Sequence, residues 1–269
     1  MGEVRSGTVE VRGAQLYYEV RGSGTPLLLV QGGISEAGAT DQLATELARQ
    51  HEVISYDRRG LSRSTAGGEV PVTMALHAED AARLLAAVTD RPAHVVGASI
   101  GALICLHLAA EHPAKVATVI AHEPPMSRVV HEDTREKELD TVAELATTDV
   151  RTAIRHMVSL AGERPKPEEG ARPAPMVGDV DKNLAWFFAN DFPAVRASDL
   201  DAGKLSGATI LPTGGAQFPE RWEYRCAQQL ARELDVGFTE IPGGHEAPTS
   251  HPWATAAVLQ RLLAVERAS

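Results

Sequence analysis

Ser99 stands in the run Gly97-Ala98-Ser99-Ile100-Gly101, between the apolar stretch His94-Val95-Val96 and a second apolar stretch from Ala102 to Glu111. Small residues on both sides of a serine suit a sharp strand-to-helix turn, which crowds its own backbone. The turn places the hydroxyl at a helix N-terminus, where free N–H groups and the helix dipole favour a developing negative charge. That is the setting of a nucleophile that attacks a carbonyl. His245 follows Ile241-Pro242-Gly243-Gly244, after the last strand-like run and before the last helix-like one. From there an imidazole reaches over the C-terminal strand ends and serves as a base near neutral pH. Gln31-Gly32-Gly33-Ile34 closes the first buried apolar run. Glycine lets backbone N–H groups approach a ligand, so one donor here, with the Ile100 N–H, suits an oxyanion hole. Plainer readings stand beside these: a glycine turn capped by serine, a loop histidine, an ordinary β-to-α turn. Asp57-Arg58-Arg59-Gly60-Leu61-Ser62-Arg63-Ser64 reads as a structural charged turn at a strand end.

Positioning these groups requires strands that alternate with helices. Val9 to Val20 reads as two short strands broken at Gly13. Leu27 to Val30, Val53 to Tyr56, His94 to Val96 and Val116 to Ala121 are continuous apolar runs, the pattern of strands buried on both faces. Helices are expected over 37–50, 73–89 and 102–111. The alternation implies βαβ units and an open, mostly parallel sheet. It stops at Pro124-Pro125. Residues 126–205 offer helical stretches at 142–160 and 184–195, a Pro- and Gly-rich loop over 162–178, and no convincing strand. Sheet runs resume at Ala208 to Leu211 and Gly237 to Ile241, with helices over 220–234 and 252–265. The expected organisation is an α/β core of residues 1–125 and 206–269 carrying a helical insertion at 126–205. Trp186, Phe187, Phe188 and Phe192 cluster in the insertion, although aromatics make up only 4% of the chain. Some of them are expected to line a cavity over Ser99.

The order and spacing of Gln31-Gly32-Gly33, Tyr56 to Ser64, the Ser99 turn, His112-Pro113 and Gly244-His245 resemble the α/β-hydrolase superfamily along nearly the whole chain. The likeness is to small bacterial serine hydrolases with a helical cap. It implies an eight-stranded, mostly parallel sheet with helices on both faces and a cap at 126–205. It implies attack by Ser99, His245 as base, and an oxyanion hole from Gly33 and Ile100. Two positions depart from the pattern. Gln31 stands where histidine is usual. Pro212 to Gln217, where the acid usually follows a strand, contains no carboxylate. Some family members carry the acid one strand earlier, and His122-Glu123-Pro124-Pro125 matches that position. Glu123 is therefore the expected third member, ahead of Glu246, with a structural ion pair as its plainer reading.

The formal net charge of -10 argues against nucleic-acid binding, because a phosphate backbone needs a basic face. No apolar run approaches the ~18 residues that cross a bilayer, and the N-terminus has no apolar leader segment. Two cysteines make no disulfide framework, which suits a reduced, cytoplasmic setting. The expected partner is a small-molecule substrate, with no cofactor and no metal; oligomeric state is not readable. The expected reaction is hydrolysis of an ester, thioester or lactone of a small apolar metabolite. The rivals are a lyase, cyclase or isomerase on the same scaffold and a catalytically silent ligand-binding protein.

Overall fold

A computed structural model describes residues 4–67, 70–160, 162, 165–172, 176–205 and 207–265. The strands are β1 (Arg5–Val11), β2 (Ala14–Arg21), β3 (Thr25–Val30), β4 (His51–Tyr56), β5 (Ala93–Ala98), β6 (Val116–His122), β7 (Ile210–Gly215) and β8 (Thr239–Ile241). They form one sheet in the order β1-β2-β4-β3-β5-β6-β7-β8. β2 runs antiparallel to both β1 and β4, and every other pairing is parallel.

Each buried strand sends alternate side chains to opposite layers. Leu28 and Val30 of β3, with Val95 of β5, pack among α2 (Met74–Val88), α3 (Ile100–Glu111) and α8 (Trp222–Leu234). Leu27 and Leu29, with Val96, face α1 (Asp41–Leu47) and α10 (Pro252–Val265). Two covered faces explain why β3 and β5 read as unbroken apolar runs rather than as alternating ones. α3 lies beneath α2 against the sheet centre, and its residues from Ile100 to Ala109 are all buried. A helix enclosed on every side needs apolar residues all round.

The helical insert between β6 and β7 holds α4 (Asp133–Ala146), α5 (Val150–Leu160), α6 (Val180–Trp186) and α7 (Phe192–Arg196). It has its own apolar cluster, which includes Leu139, Val142, Ala153, Leu184, Phe187, Phe188 and Phe192. The single helix expected over 142–160 is two. Asp149 ends the first and caps the second, its carboxylate accepting the Arg151 N–H at 2.9 Å and its carbonyl the Ala153 N–H at 3.0 Å. The stretch expected as one helix over 184–195 contains a π-helical turn at Phe187–Asp191, where the Phe192 N–H returns to the Phe187 carbonyl. Pro193 follows at once; proline cannot donate to the helix ladder, and the wider turn relieves its clash with the preceding turn. Of the loop expected over 162–178, residues 163–164 and 173–175 lie outside the described residues. α9 (Ala247–Ser250) separates the His245 loop from α10. Among the described residues no helix is long and apolar enough to cross a membrane.

The charged turn after β4 is structural in a specific sense. Arg59 is fully buried, and its Nε and Nη2 each reach the Asp80 carboxylate of α2 at 2.7 Å. A buried pair contributes little over an apolar substitute, but removing one partner strands the other charge. Asp80→Ala should therefore cost about 3–5 kcal/mol of unfolding free energy. Urea denaturation of the variant beside the parent chain checks this.

Candidate active site

β5 ends at Ala98, and the next residue turns the chain into α3. Ser99 has φ 55° and ψ -126°, a left-handed backbone that a non-glycine residue adopts only where the surroundings enforce it. Its N–H still donates to the His122 carbonyl of β6 at 2.9 Å, so sheet pairing runs one residue beyond the strand. Glycines on either side make the turn possible. A Cβ on Gly101 would sit 2.8 Å from the Gln31 carbonyl oxygen and closer still to that of Val30, and one on Gly97 would strike the Gly101 backbone. The serine hydroxyl thus stands at the head of α3, among N–H groups with no intrahelical acceptor.

The adjacent strand repeats the device. β6 ends at His122, and Glu123 follows at φ 50°, its N–H donating to the Thr213 carbonyl of β7 at 3.0 Å. The Glu123 carboxylate is 1% exposed. One oxygen accepts the Gly215 N–H at 2.7 Å, and the other lies 2.7 Å from His245 Nδ1. The end of β7, where the family pattern usually carries the acid, supplies a backbone donor that holds the carboxylate instead.

His245 is 23% exposed, toward the cavity. Its loop is fixed from below by His122, which is buried and spans Thr213 Oγ1 at 3.2 Å and the Gly244 carbonyl at 3.2 Å. The carbonyl can only accept, so His122 Nε2 carries the proton and donates to it. Burial holds the His122 pKa below its ordinary value and keeps the ring neutral. Burial also works against the charge on Glu123, but the His245 hydrogen bond, the neighbouring imidazoles and the Gly215 N–H together outweigh it, and the carboxyl is held down to about 2. Burial likewise opposes a charged His245, yet the Glu123 hydrogen bond and charge raise its pKa, with smaller contributions from Glu223 and Glu246.

Ser99, His245, Gly33 and Ile100 line one cavity of about 380 Å³. Gly33 sits at φ 49° in the loop after β3. The family's usual histidine in this loop is Gln31, which is buried and donates from Nε2 to Thr40 Oγ1 at 3.0 Å. The aromatics of the insert divide. Phe187 and Phe192 line the cavity; Trp186 and Phe188 do not. The Trp186 ring occupies the space a side chain at Gly60 would fill, and Phe188 stacks edge-on against Phe187 at 5.2 Å inside the insert's own cluster. Successive residues point round a helix, so Trp186, Phe187 and Phe188 cannot share one face, and the i to i+5 turn brings Phe192 round to the side of Phe187. Sequence reasoning did not reach the other apolar walls, Leu139 of α4, Ile154, Met157 and Val158 of α5, and Trp222 of α8. The i, i+3, i+4 spacing of Ile154, Met157 and Val158 is the sequence feature that marks them as one face. Arg135 and Glu223, paired at 2.5 Å, close the cavity beside Trp222. Among the described residues no cluster of three or more His, Cys, Asp or Glu is arranged to hold a metal ion.

Known proteins share this architecture. The family model described as "alpha/beta hydrolase fold" matches residues 25–254. "Uncharacterized hydrolase YraK" of Bacillus subtilis (strain 168) is 34% identical over 255 residues, 92% of each chain. "Putative carbamate hydrolase RutD" of Variovorax paradoxus (strain S110) is 31% identical, covering 92% of this chain and 94% of its own. Among solved structures, the enol-lactonase of Burkholderia xenovorans LB400 superposes with a TM-score of 0.72 at 18% identity, covering 96% of this chain and all of that one. An alpha/beta hydrolase from Sphaerobacter thermophilus DSM 20745 superposes with a TM-score of 0.70 at 24% identity, over 94% of this chain and 98% of that one. At those identities the two structures speak for the fold alone. The family model and the two sequence relatives each span most of the chain, and the chain belongs to the α/β-hydrolase fold family.

Proposed function

We propose that the protein is a serine hydrolase acting on an ester, thioester or lactone of a small, largely apolar compound. The observation that carries this reading is His245: its Nδ1 is engaged by Glu123 at 2.7 Å, and its ring opens on the cavity that holds Ser99. A carboxylate accepts only, so Nδ1 bears the proton and Nε2 keeps a free lone pair for the serine.

Ser99 Oγ attacks the substrate carbonyl carbon while His245 Nε2 takes the hydroxyl proton. The carbonyl π electrons move onto oxygen, and the N–H groups of Gly33 and Ile100 receive the resulting oxyanion. The intermediate collapses to an acyl-enzyme as the imidazolium returns its proton to the leaving group. Water, deprotonated by the same nitrogen, then attacks the acyl carbon, and as that intermediate collapses the imidazolium returns the proton to Ser99 Oγ, releasing the acid. Glu123 stays ionised throughout and stabilises the imidazolium without taking its proton. Phe187 and Phe192, in the segment 126–205 that we read as a cap, give the acyl portion an apolar wall. A carbamate, the compound in the name of one relative, carries the same carbonyl and fits the same sequence of steps. A lyase or isomerase on this scaffold would not require an activated serine, and reaction with a fluorophosphonate separates the readings.

A fluorophosphonate should label the protein at Ser99, and Ser99→Ala should abolish labelling and lower turnover of p-nitrophenyl esters about 10⁶-fold. Unlabelled, folded protein would favour the non-hydrolytic rival. Glu123→Gln should lower turnover by about 10⁴-fold, measured on the same esters. The base must be neutral to act, and its pKa is raised, so kcat/KM should climb with pH along a limb centred above 6.5. In Glu123→Gln the same limb should move to lower pH, because the charge that raises the imidazole is gone while its burial remains. A pH profile of both proteins reads the shift.

A further inference from the structure

The loop carrying Gly33 is held from behind by one side chain. Arg58 Nη1 donates to the Gln31 carbonyl at 2.7 Å, and Nη2 donates to the Gly33 carbonyl. Between these two, the Gly32 carbonyl accepts the Ser35 N–H at 3.0 Å. C=O and the next residue's N–H lie in one trans peptide plane and point in opposite directions, so a fixed carbonyl fixes the N–H of the residue that follows. The Gly33 N–H shares its peptide with the Gly32 carbonyl that Ser35 holds, and Arg58 holds the peptides on either side of it, so the three bonds together set its direction.

Arg58 is 1% exposed, and a buried guanidinium needs a counter-charge. The carboxylates beside it in sequence and space are taken. Asp57 binds Arg63 and the Ala37 N–H, and Asp80 binds Arg59. The partner is Asp191, fully buried, whose Oδ2 lies 3.2 Å from Arg58 Nη2 and whose Oδ1 lies 3.1 Å from His77 Nε2. Asp191 belongs to the insert, at the end of the same π turn that directs Phe187 into the cavity. A single short segment therefore shapes the substrate wall and neutralises the residue that orients the Gly33 loop.

We propose that Asp191 and Arg58 are positioning residues for the oxyanion hole, so that seating the insert over the sheet sets the direction of the Gly33 N–H. The inference rests on the hydrolase reading above. It makes the oxyanion hole conditional on the insert: lifting the insert strips Arg58 of its counter-charge and slackens the two carbonyls it holds.

The experiment compares Asp191→Asn and Arg58→Lys with the parent chain. Asparagine keeps the shape of Asp191 without its charge. Lysine keeps the charge opposite Asp191 but replaces the planar fork, which reaches the two carbonyls from separate nitrogens, with a single point donor, so the site remains testable where the first variant fails to fold. Circular dichroism and a melting curve establish that each variant is folded at the assay temperature. Loss of one oxyanion donor lowers kcat by about 10²–10³-fold, so a misdirected one should lower kcat at least about tenfold. KM should change by less than about threefold, and phenylboronic acid, whose tetrahedral serine adduct places an oxygen in the hole, should bind more weakly in proportion to the kcat loss. The kcat/KM pH midpoint should stay at the parent value, because the His245–Glu123 pair is untouched. Folded variants with parental kcat and boronate affinity overturn the inference. So does a loss expressed in KM alone or accompanied by a moved pH midpoint. A parent chain that neither hydrolyses esters nor reacts with a fluorophosphonate overturns the hydrolase reading instead.

Discussion

In a parallel sheet a residue just past the end of a strand keeps its backbone partner only where the neighbouring strand runs on beside it. The site depends on two such hydrogen bonds, Ser99 N–H to the His122 carbonyl and Glu123 N–H to the Thr213 carbonyl. Each holds its residue in the sheet while a positive φ turns the chain away, at 55° and 50°. A left-handed backbone on a residue with a Cβ costs of order 1–3 kcal/mol and persists only when its surroundings over-determine it. The glycines around Ser99, the two prolines after Glu123 and the buried register of β5, β6 and β7 supply that determination. Ser99 and Glu123 thus sit on consecutive steps of one ladder, and His245 closes over them from the loop after β8.

The same ladder explains what the sequence made legible. Ser99 was visible because its flanking glycines are a steric requirement, and His245 because it follows the last strand. Glu123 became the candidate acid through an absence: Pro212 to Gln217 carries no carboxylate, and Glu123 follows the end of β6 at the same sheet edge. The long apolar runs placed β3 to β6 because both faces of each are covered. The insert was less legible. Its helices bury one face only, so a break such as that at Asp149, or a π turn forced by Pro193, shifts the face without disturbing the local composition. That is why Trp186 and Phe188 could not be separated from Phe187 and Phe192 in advance. Arg58 read as one more charge in a polar turn, since its partner lies 133 residues away in the chain.

Adjacent arginines in that turn do different work. Arg59 points toward α2 and ties the helix layer to Asp80, while Arg58 points toward the loop after β3 and the insert. Both are buried although the chain as a whole is acidic, with a formal net charge of -10. In a chain rich in surface carboxylates, the buried cations carry the specific long-range connections. Each is bonded at two nitrogens, while the third, Arg58 Nε and Arg59 Nη1, is buried without a hydrogen-bond partner among the described residues.

The α5 wall is tied differently from the rest of the insert. Arg151 binds Asp181, His156 binds Glu138, and Thr152 and Ser159 bond within their own helix and its cap, so these polar links stay inside the insert. α6 and the π turn are fastened to the sheet domain through Asn183 on Ser62 and Asp191 on Arg58. Ile154, Met157 and Val158 line the cavity from this helix, and Ile154 and Met157 also pack against the insert's apolar cluster. A change of volume at those three positions reshapes the cavity from its helical side and leaves the sheet edge with Ser99 and Glu123 untouched.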